Sequence, residues 1–260
     1  MSGFAKRFIF AAGVSAFAQG AAGQDLISHV DLTSPAFASA EMTRSEVEAR
    51  LQGSPQGADF SGRSLNGLDL SGLNLAKANF RAARMNKTNF AGAKLDGAVL
   101  DQAWAIGANF SGASFRGAHL FGTQMQDAQL AAADLSSARI TADMSRASLR
   151  DAKLSGADLA PDMKNQSMGL MRGVLKSADL SGANFEGANL AMTDLQFAKF
   201  SKANLKRASL ADAEAGGADF RGAVLDGTNF NGTDVTSARI DEAQQQAFAG
   251  AANLSRAFRE

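Results

Sequence analysis

The 260-residue chain has no cysteine, no tyrosine, a single tryptophan and only three prolines. Without cysteine there is neither a disulfide framework nor a thiolate metal site, so packing and backbone hydrogen bonds must hold whatever shape forms. Two histidines, His29 and His119, with no Ser-His-Asp arrangement and no His-rich spacing, give no candidate catalytic, metal or cofactor residues. His119 reads as a solvated surface residue, and no glycine-rich loop opens a helix as a phosphate cradle does. Charge of one sign is lacking too: 26 Lys plus Arg balance 26 Asp plus Glu. That balance excludes general attraction to nucleic acid. The scarcity of large, varied aromatics argues against a conventional jigsaw core.

The sequence has one apolar stretch with a targeting pattern. Lys6 and Arg7 precede Phe8 to Phe17, and small residues follow from Ala16 to Gly23, so residues 1–23 read as a secretory signal with cleavage after Ala18, Ala22 or Gly23. The stretch is too short to span a bilayer, and no later segment is long enough. The expected location is the periplasm or the exterior.

What is abundant is a period of five. From position 60 to 240 the chain shows 36 centres spaced by five, with two breaks; 34 are Leu, Phe, Met, Ile or Val, and the exceptions are Ala105 and Ala215. Two residues before the centre stands Ala in 26 cases and Thr in five, and Gly recurs two residues after it, as at Gly62, Gly112 and Gly182. A step of five rotates a helical side chain by about 140° beyond one turn. In a flat strand an odd step alternates faces. Only a chain that bends by about a right angle between centres keeps them on one axis, and four such sides close a coil.

Two register defects accompany the pattern. The step from Ile140 to Met144 is one short and the step from Leu159 to Leu170 is one long over two repeats, so the faces are expected to stay in phase. One side between Leu159 and Leu170 has no apolar centre, so residues 160–167, with Pro161 unable to donate to a ladder, are expected to bulge as a loop.

Stretches such as "ANFSGASFRGAHL" and "ADLSGANFEGANL" resemble the pentapeptide repeat family, with its Ala-[Asp/Asn]-Leu/Phe-x-x motif. The resemblance covers residues 58–242. It implies an all-β fold, a right-handed quadrilateral β-helix (β-solenoid) of about nine coils with about 20 residues each. Stacking at that spacing predicts charged pairs along the rod: Arg81 with Asp101, Asp96 with Arg116, Asp127 with Arg146, Asp134 with Lys153, Asp179 with Lys199 and Asp219, and Glu186 with Lys206 and Asp226. Asp and Asn one before the centre are expected to bond local backbone at the corners.

The flanks read as caps. Residues 24–57 form an N-terminal extension whose Thr43 and Glu46 make a capping box, with Val47 and Leu51 on one helical face and Gly53 and Pro55 as the stop. Asp241 is placed to cap a short helix through Phe248, and residues 243–260 form a C-terminal cap, with Phe248 and Phe258 placed to pair two molecules as a homodimer.

Two surface features rise above the repeat. Val99, Trp104, Ile106 and Phe121 flank centres, point outward on adjoining sides and form a candidate apolar patch. Pro161, Asp162, Lys164 and Asn165 mark the loop, the one projection from a rigid rod. The functional expectation is a non-catalytic exported scaffold for a protein partner of unknown identity. Some members of the family resembled protect topoisomerases by looking like DNA, and that alternative demands a strongly acidic surface. Residues 58–240 carry 20 bases and 18 acids, a net +2. A secreted effector or an envelope structural element is the remaining alternative.

Overall fold

The computed structural model describes residues 31, 33–54, 56–163 and 171–260. The signal expected over residues 1–23, Pro55, Lys164, Asn165 and Leu170 lie outside them.

The corner explains the period. At each corner the carbonyl of a centre accepts from the N–H three residues on, as Phe60 from Arg63 at 3.1 Å and Phe80 from Ala83 at 2.9 Å. The third residue of the turn has a positive φ, 66° at Gly62 and 59° at Lys77. A type II turn requires that conformation, which is why glycine recurs two residues after the centre. The side chain before the centre braces the same corner: Asp59 Oδ1 accepts from Ser61 N–H at 3.0 Å and Asn89 Oδ1 from Ala91 N–H at 3.1 Å.

Between corners each side is a short parallel rung. Phe60 N–H donates to Asn79 at 2.7 Å, and Asn79 N–H donates back to Ala58 at 2.9 Å. Bridges recur every 20 residues, Ser64 to Arg84 to Trp104 to Gln124 and Asp69 to Asn89 to Asn109 to Gln129. Two rungs lengthen into parallel strands, β1 (His119–Gln124) and β2 (Arg139–Asp143), and the register shifts between Phe121 and Gln124. That shift absorbs the short step from Ile140 to Met144.

The second defect departs from expectation. Asp143 pairs with Val174, Ser148 with Asp179, Lys153 with Asn184 and Asp158 with Asn189, a spacing of 31 rather than 20. The two defects therefore do not cancel. Leu159 is followed on the next side by Leu175. The spacing exceeds a coil by eleven residues, an excursion longer than the expected 160–167 loop, and it shifts the numbering of each face by half a coil. The chain re-enters at Gly173, whose N–H donates to Leu159 at 2.9 Å. A Cβ there would stand 3.0 Å from both the Leu159 carbonyl oxygen and the Leu159 Cβ, so the close return favours glycine.

The interior is one continuous apolar cluster. Phe60 stacks on Phe80 with centroids 5.2 Å apart, Phe90 on Phe110 at 5.0 Å and Phe200 on Phe220 at 4.9 Å. Met85 and Met125 flank the small centre Ala105, all three buried. Where Thr replaces the inner Ala, its hydroxyl finds a carbonyl: Thr88 donates to Leu65 at 2.7 Å and Thr123 to Leu100 at 2.9 Å.

Both ends are closed. Helix α1 (Pro35–Ala38) precedes helix α2 (Arg44–Gln52), which starts on the expected Thr43–Glu46 capping box and carries Val47 into the core. The Arg50 guanidinium sits 5.7 Å above the Phe60 ring. At the other end the segment Glu242–Phe248 forms a 3-10 helix, and Asp241 does not cap it; its Oδ2 accepts from Gly222 N–H at 2.8 Å. Phe248 drops into its own core, 4.3 Å from Phe230 and 5.5 Å from Phe220. It is therefore not placed to pair two molecules, and only Phe258, on the terminal rung formed by β3 (Arg239–Ile240) and β4 (Phe258–Arg259), is exposed.

Of the predicted ionic rungs, Arg81–Asp101, Asp96–Arg116 and Asp127–Arg146 close at 3.1, 3.1 and 2.8 Å. Asp134 faces Lys153, and Asp179 faces Lys199, across bridges. Asp179 closes its ion pair with Arg150, however, and Glu186 with Arg207 in place of Lys206.

Phe110→Ala removes a ring buried between Phe90 and Phe115 and is expected to cost about 3–5 kcal/mol, read as a lower urea midpoint. Acid destabilises the rod in a defined window. The Ser61 backbone N–H holds Asp59 below its ordinary value of 3.8, and the Arg221 guanidinium does the same for Asp219. Depressed carboxylates contribute stability above the unfolded value and lose it as pH falls through the folded one. The melting temperature is expected to be level from neutral pH to about 5 and to fall below about 4.

A dressed face as candidate interaction site

One outward column runs the length of the rod: Ser64, Arg84, Trp104, Gln124, Asp143, Val174, Asp194, Glu214 and Asp234, each one residue before a centre. The chain decorates this side three times.

The first decoration is the N-terminal extension, which lies as a strap across the early coils. Ala40 makes an antiparallel bridge to Leu65, and Glu41 N–H donates to Ser64 at 2.9 Å. Side chains of the rod then read the strap's carbonyls: Ser64 Oγ and Asn66 Nδ2 donate to Ser39 at 2.5 and 3.3 Å, and Asn86 Nδ2 to Phe37 at 3.4 Å. The Phe37 ring sits 5.0 Å from Trp104 at 52°. A cleft of about 370 Å³ remains between strap and rod, lined by Thr33, Phe37, Ala38, Gly67, Asn86, Lys87 and Ile106.

The expected apolar patch therefore does not form. Val99, Trp104, Ile106 and Phe121 are all half-buried. Phe37 covers Trp104, Ile106 lines the strap cleft, and Val99 belongs to a different column, between Asn79 and His119. Phe121 lies in β1 with its N–H on Asp101 Oδ1 at 3.2 Å.

The second decoration is the eleven-residue excursion. Of the loop residues singled out in the sequence, Pro161 is buried and Asp162 half-buried, while Met163 is 59% exposed. Met171 returns over Gly122, where a Cβ would stand 3.3 Å from the Met171 methyl. Nearby, outward-pointing polar residues become interior. Gln126 Nε2 donates to Gln124 Oε1 at 2.9 Å and to Asp143 Oδ2 at 2.7 Å, and Gln124 Nε2 donates to the Gly122 carbonyl at 3.1 Å. Arg172 Nη1 reaches Met192 O at 3.1 Å and Glu214 Oε1 at 2.9 Å. In sequence the glutamines are indistinguishable from solvated outer positions, because the segment that buries them is remote.

The third decoration is a notch of about 350 Å³ lined by Gln196, Phe197, Glu214, Gly216, Gly217, Asp234, Thr236 and Ser237. Phe197 stands at a corner position with φ of 59° and is 57% exposed. Sequence reading missed it, although an aromatic at a turn position that otherwise favours glycine is a visible signal. Burial, with Glu214 behind it, pushes the Asp194 carboxyl above its ordinary range, while the Arg172 guanidinium holds Glu214 below its own.

Among the described residues no group of three His, Cys, Asp or Glu is placed to hold a metal ion, and no helix is long and apolar enough to cross a membrane. His119 is exposed. The surface supplies shape and charge for contact.

Trp104 is the single tryptophan, so its emission reports the strap directly. Phe37→Ala is expected to shift that emission to longer wavelength while far-ultraviolet circular dichroism stays unchanged. Unshifted emission sinks the covered-face description.

A family model for pentapeptide repeats matches in eight copies, over residues 56–92, 64–102, 74–112, 83–120, 105–136, 142–160, 174–207 and 203–240. No curated protein matches the chain. Among solved structures it is similar to HetL, a pentapeptide repeat protein involved in heterocyst differentiation regulation from the cyanobacterium Nostoc sp. strain PCC 7120, at 27% identity over 76% of this chain and 92% of that one, with a TM-score of 0.36. It is also similar to full-length QnrB1, a plasmid-mediated fluoroquinolone resistance protein, at 19% identity over 72% of this chain and 97% of that one, with a TM-score of 0.53. Rfr23 from the cyanobacterium Cyanothece 51142 is 28% identical over 42% of this chain and 60% of that one, with a TM-score of 0.30. Structural neighbours of this kind are right-handed quadrilateral β-helices, and this chain belongs to the pentapeptide repeat family.

Proposed function

We propose that the chain is an exported, non-catalytic scaffold that holds a protein partner against one side of a rod of about nine coils. The observation that carries this reading is the concentration of departures from the repeat on a single side. Strap and notch lie along the column from Ser64 to Asp234, and the chain rejoins that column at Val174 after the excursion. Loops and insertions on a rigid support are where binding concentrates. The opposite side carries Asn74, Lys94, Ser114, Asp134, Lys153, Asn184, Asn204 and Val224 in plain succession. Met163 and Phe197, both exposed, are the contact residues this reading favours, with half-buried Asp162 beside Met163.

Export rests on the pattern in residues 1–23, and the periplasm or the exterior is the compartment it implies. Mimicry of DNA ranks second, because residues 58–240 carry 20 bases against 18 acids. Secretion as an effector or service as an envelope element is compatible with the same surface.

A photo-reactive phenylalanine analogue at position 197 or 163 is expected to cross-link the same partner in the periplasmic fraction, and the analogue at Val224 on the opposite side is not. Equal yield from all three positions rejects the one-sided scaffold. A processed chain beginning after residue 18, 22 or 23 in that fraction is the expected sign of export. The purified mature chain is expected to leave gyrase supercoiling and its drug inhibition unchanged.

A further inference from the structure

The geometry points to an arginine side chain, carried on a basic segment of the partner, as the occupant of the Phe197 notch; this rests on the scaffold reading and adds the partner's chemistry to it.

The notch is shaped by local departures from the repeat at Phe197 and Gly216. Phe197 places an aromatic ring at a left-handed turn position, which an L residue occupies at a cost and which exposes much of the ring to water. On the next coil stand Gly216 and Gly217. A Cβ on Gly217 would lie 2.5 Å from Cδ1 and 2.6 Å from Cε1 of Phe197, so the ring rests directly on the Gly217 backbone. The Cδ1–Cε1 edge of the ring is thus against the rod, and the exposed remainder of the ring lines the notch.

Its rim is acidic in an unusual way. On the neighbouring side the outer column alternates, Asp179, Lys199, Asp219, Arg239. On this side Asp194, Glu214 and Asp234 follow one another at the spacing of a single rung. Stacked like charges destabilise a ladder; the chain's own Arg172 and Lys176 face Asp194, and Arg256 faces Asp234, so a further cation adds to these. Arg172 and Gln196 engage Glu214, at 2.9 Å on Oε1 and 3.1 Å on Oε2. The Asp234 bonds all fall on one oxygen: Oδ1 accepts from Thr236 N–H at 2.9 Å, Thr236 Oγ1 at 2.7 Å and Asn253 Nδ2 at 3.0 Å. Oδ2 is left for an incoming donor.

An open aromatic face beside a carboxylate with one uncommitted oxygen suits a planar guanidinium, which stacks on the ring and donates in its own plane to the acid. A lysine ammonium satisfies the charge without the stacking. An acidic or purely apolar segment leaves Asp234 Oδ2 without a donor.

The test is calorimetric titration of the mature chain with an amidated tetra-arginine peptide at low salt. Phe197→Ala and Phe197→Trp leave net charge untouched, so they separate the ring's contribution from general attraction. Phe197→Ala is expected to weaken binding by about 2- to 5-fold and Phe197→Trp to strengthen it. Asp234→Asn keeps the Oδ1 bonds and is expected to weaken binding and flatten its salt dependence. Tetra-lysine is expected to bind less tightly and to ignore the Phe197 variants. Unchanged affinity in Phe197→Ala overturns the inference, as does Phe197→Leu matching the parent. Sedimentation showing a dimer of the parent that Phe197→Ala dissolves gives the notch to a second copy and also overturns it. If the peptide fails while the position-197 cross-link persists, the arginine assignment falls and the scaffold reading stands.

Discussion

Everything in this molecule depends on the corner. A four-residue turn closed from the centre's carbonyl to the N–H three residues on, with a left-handed third residue, redirects the chain from rung to rung, the short step from Ile140 to Met144 excepted. Because each corner turns the same way, the side chain preceding it always points to the axis. The residue two before it is in most units squeezed to alanine or to a threonine whose hydroxyl returns to the backbone, as at Thr88 and Thr123. The core is then a set of columns, and stability is distributed along the axis as nearest-neighbour stacking.

Such a core leaves the surface chemically free. Outward positions contribute paired charges worth little individually, so the rod tolerates substitution there and can carry additions. The strap from Phe37 to Glu41 and the return through Met171 and Arg172 use that freedom in one direction only. They convert outward positions into covered ones: Trp104 under Phe37, and Gln124 and Gln126 in a hydrogen-bonded pair beside Asp143. The uncovered remainder of the column holds the carboxylates and the exposed ring.

Period, centre, inner alanine and corner were legible in the sequence because each obeys a local rule repeated many times. The Phe60–Phe80 and Phe90–Phe110 stacks, the Thr43–Glu46 cap and three ionic rungs followed from spacing alone. Where a single event mattered, spacing misled. The expected coil spacing of 20 across the second defect is 31 instead, with Asp158 pairing Asn189, because nothing in a five-residue period sets how many residues separate two coils. Phe248 and the Val99, Trp104, Ile106 and Phe121 set looked available to partners because nothing in a repeat reveals what the flanks will cover. Phe197 was overlooked because attention to centres and their neighbours skips the turn.

The spacing of 31 residues at the excursion carries a geometric corollary. Residues that leave the coil add length without rotation, so both segments of the rod keep a common azimuth, and the strap and the Phe197 notch share one meridian. A gain or loss of one five-residue unit between them acts differently, swinging the entire downstream segment through about a right angle. Re-aiming one half of such a scaffold against the other thus takes a single repeat, with the hydrophobic axis left intact.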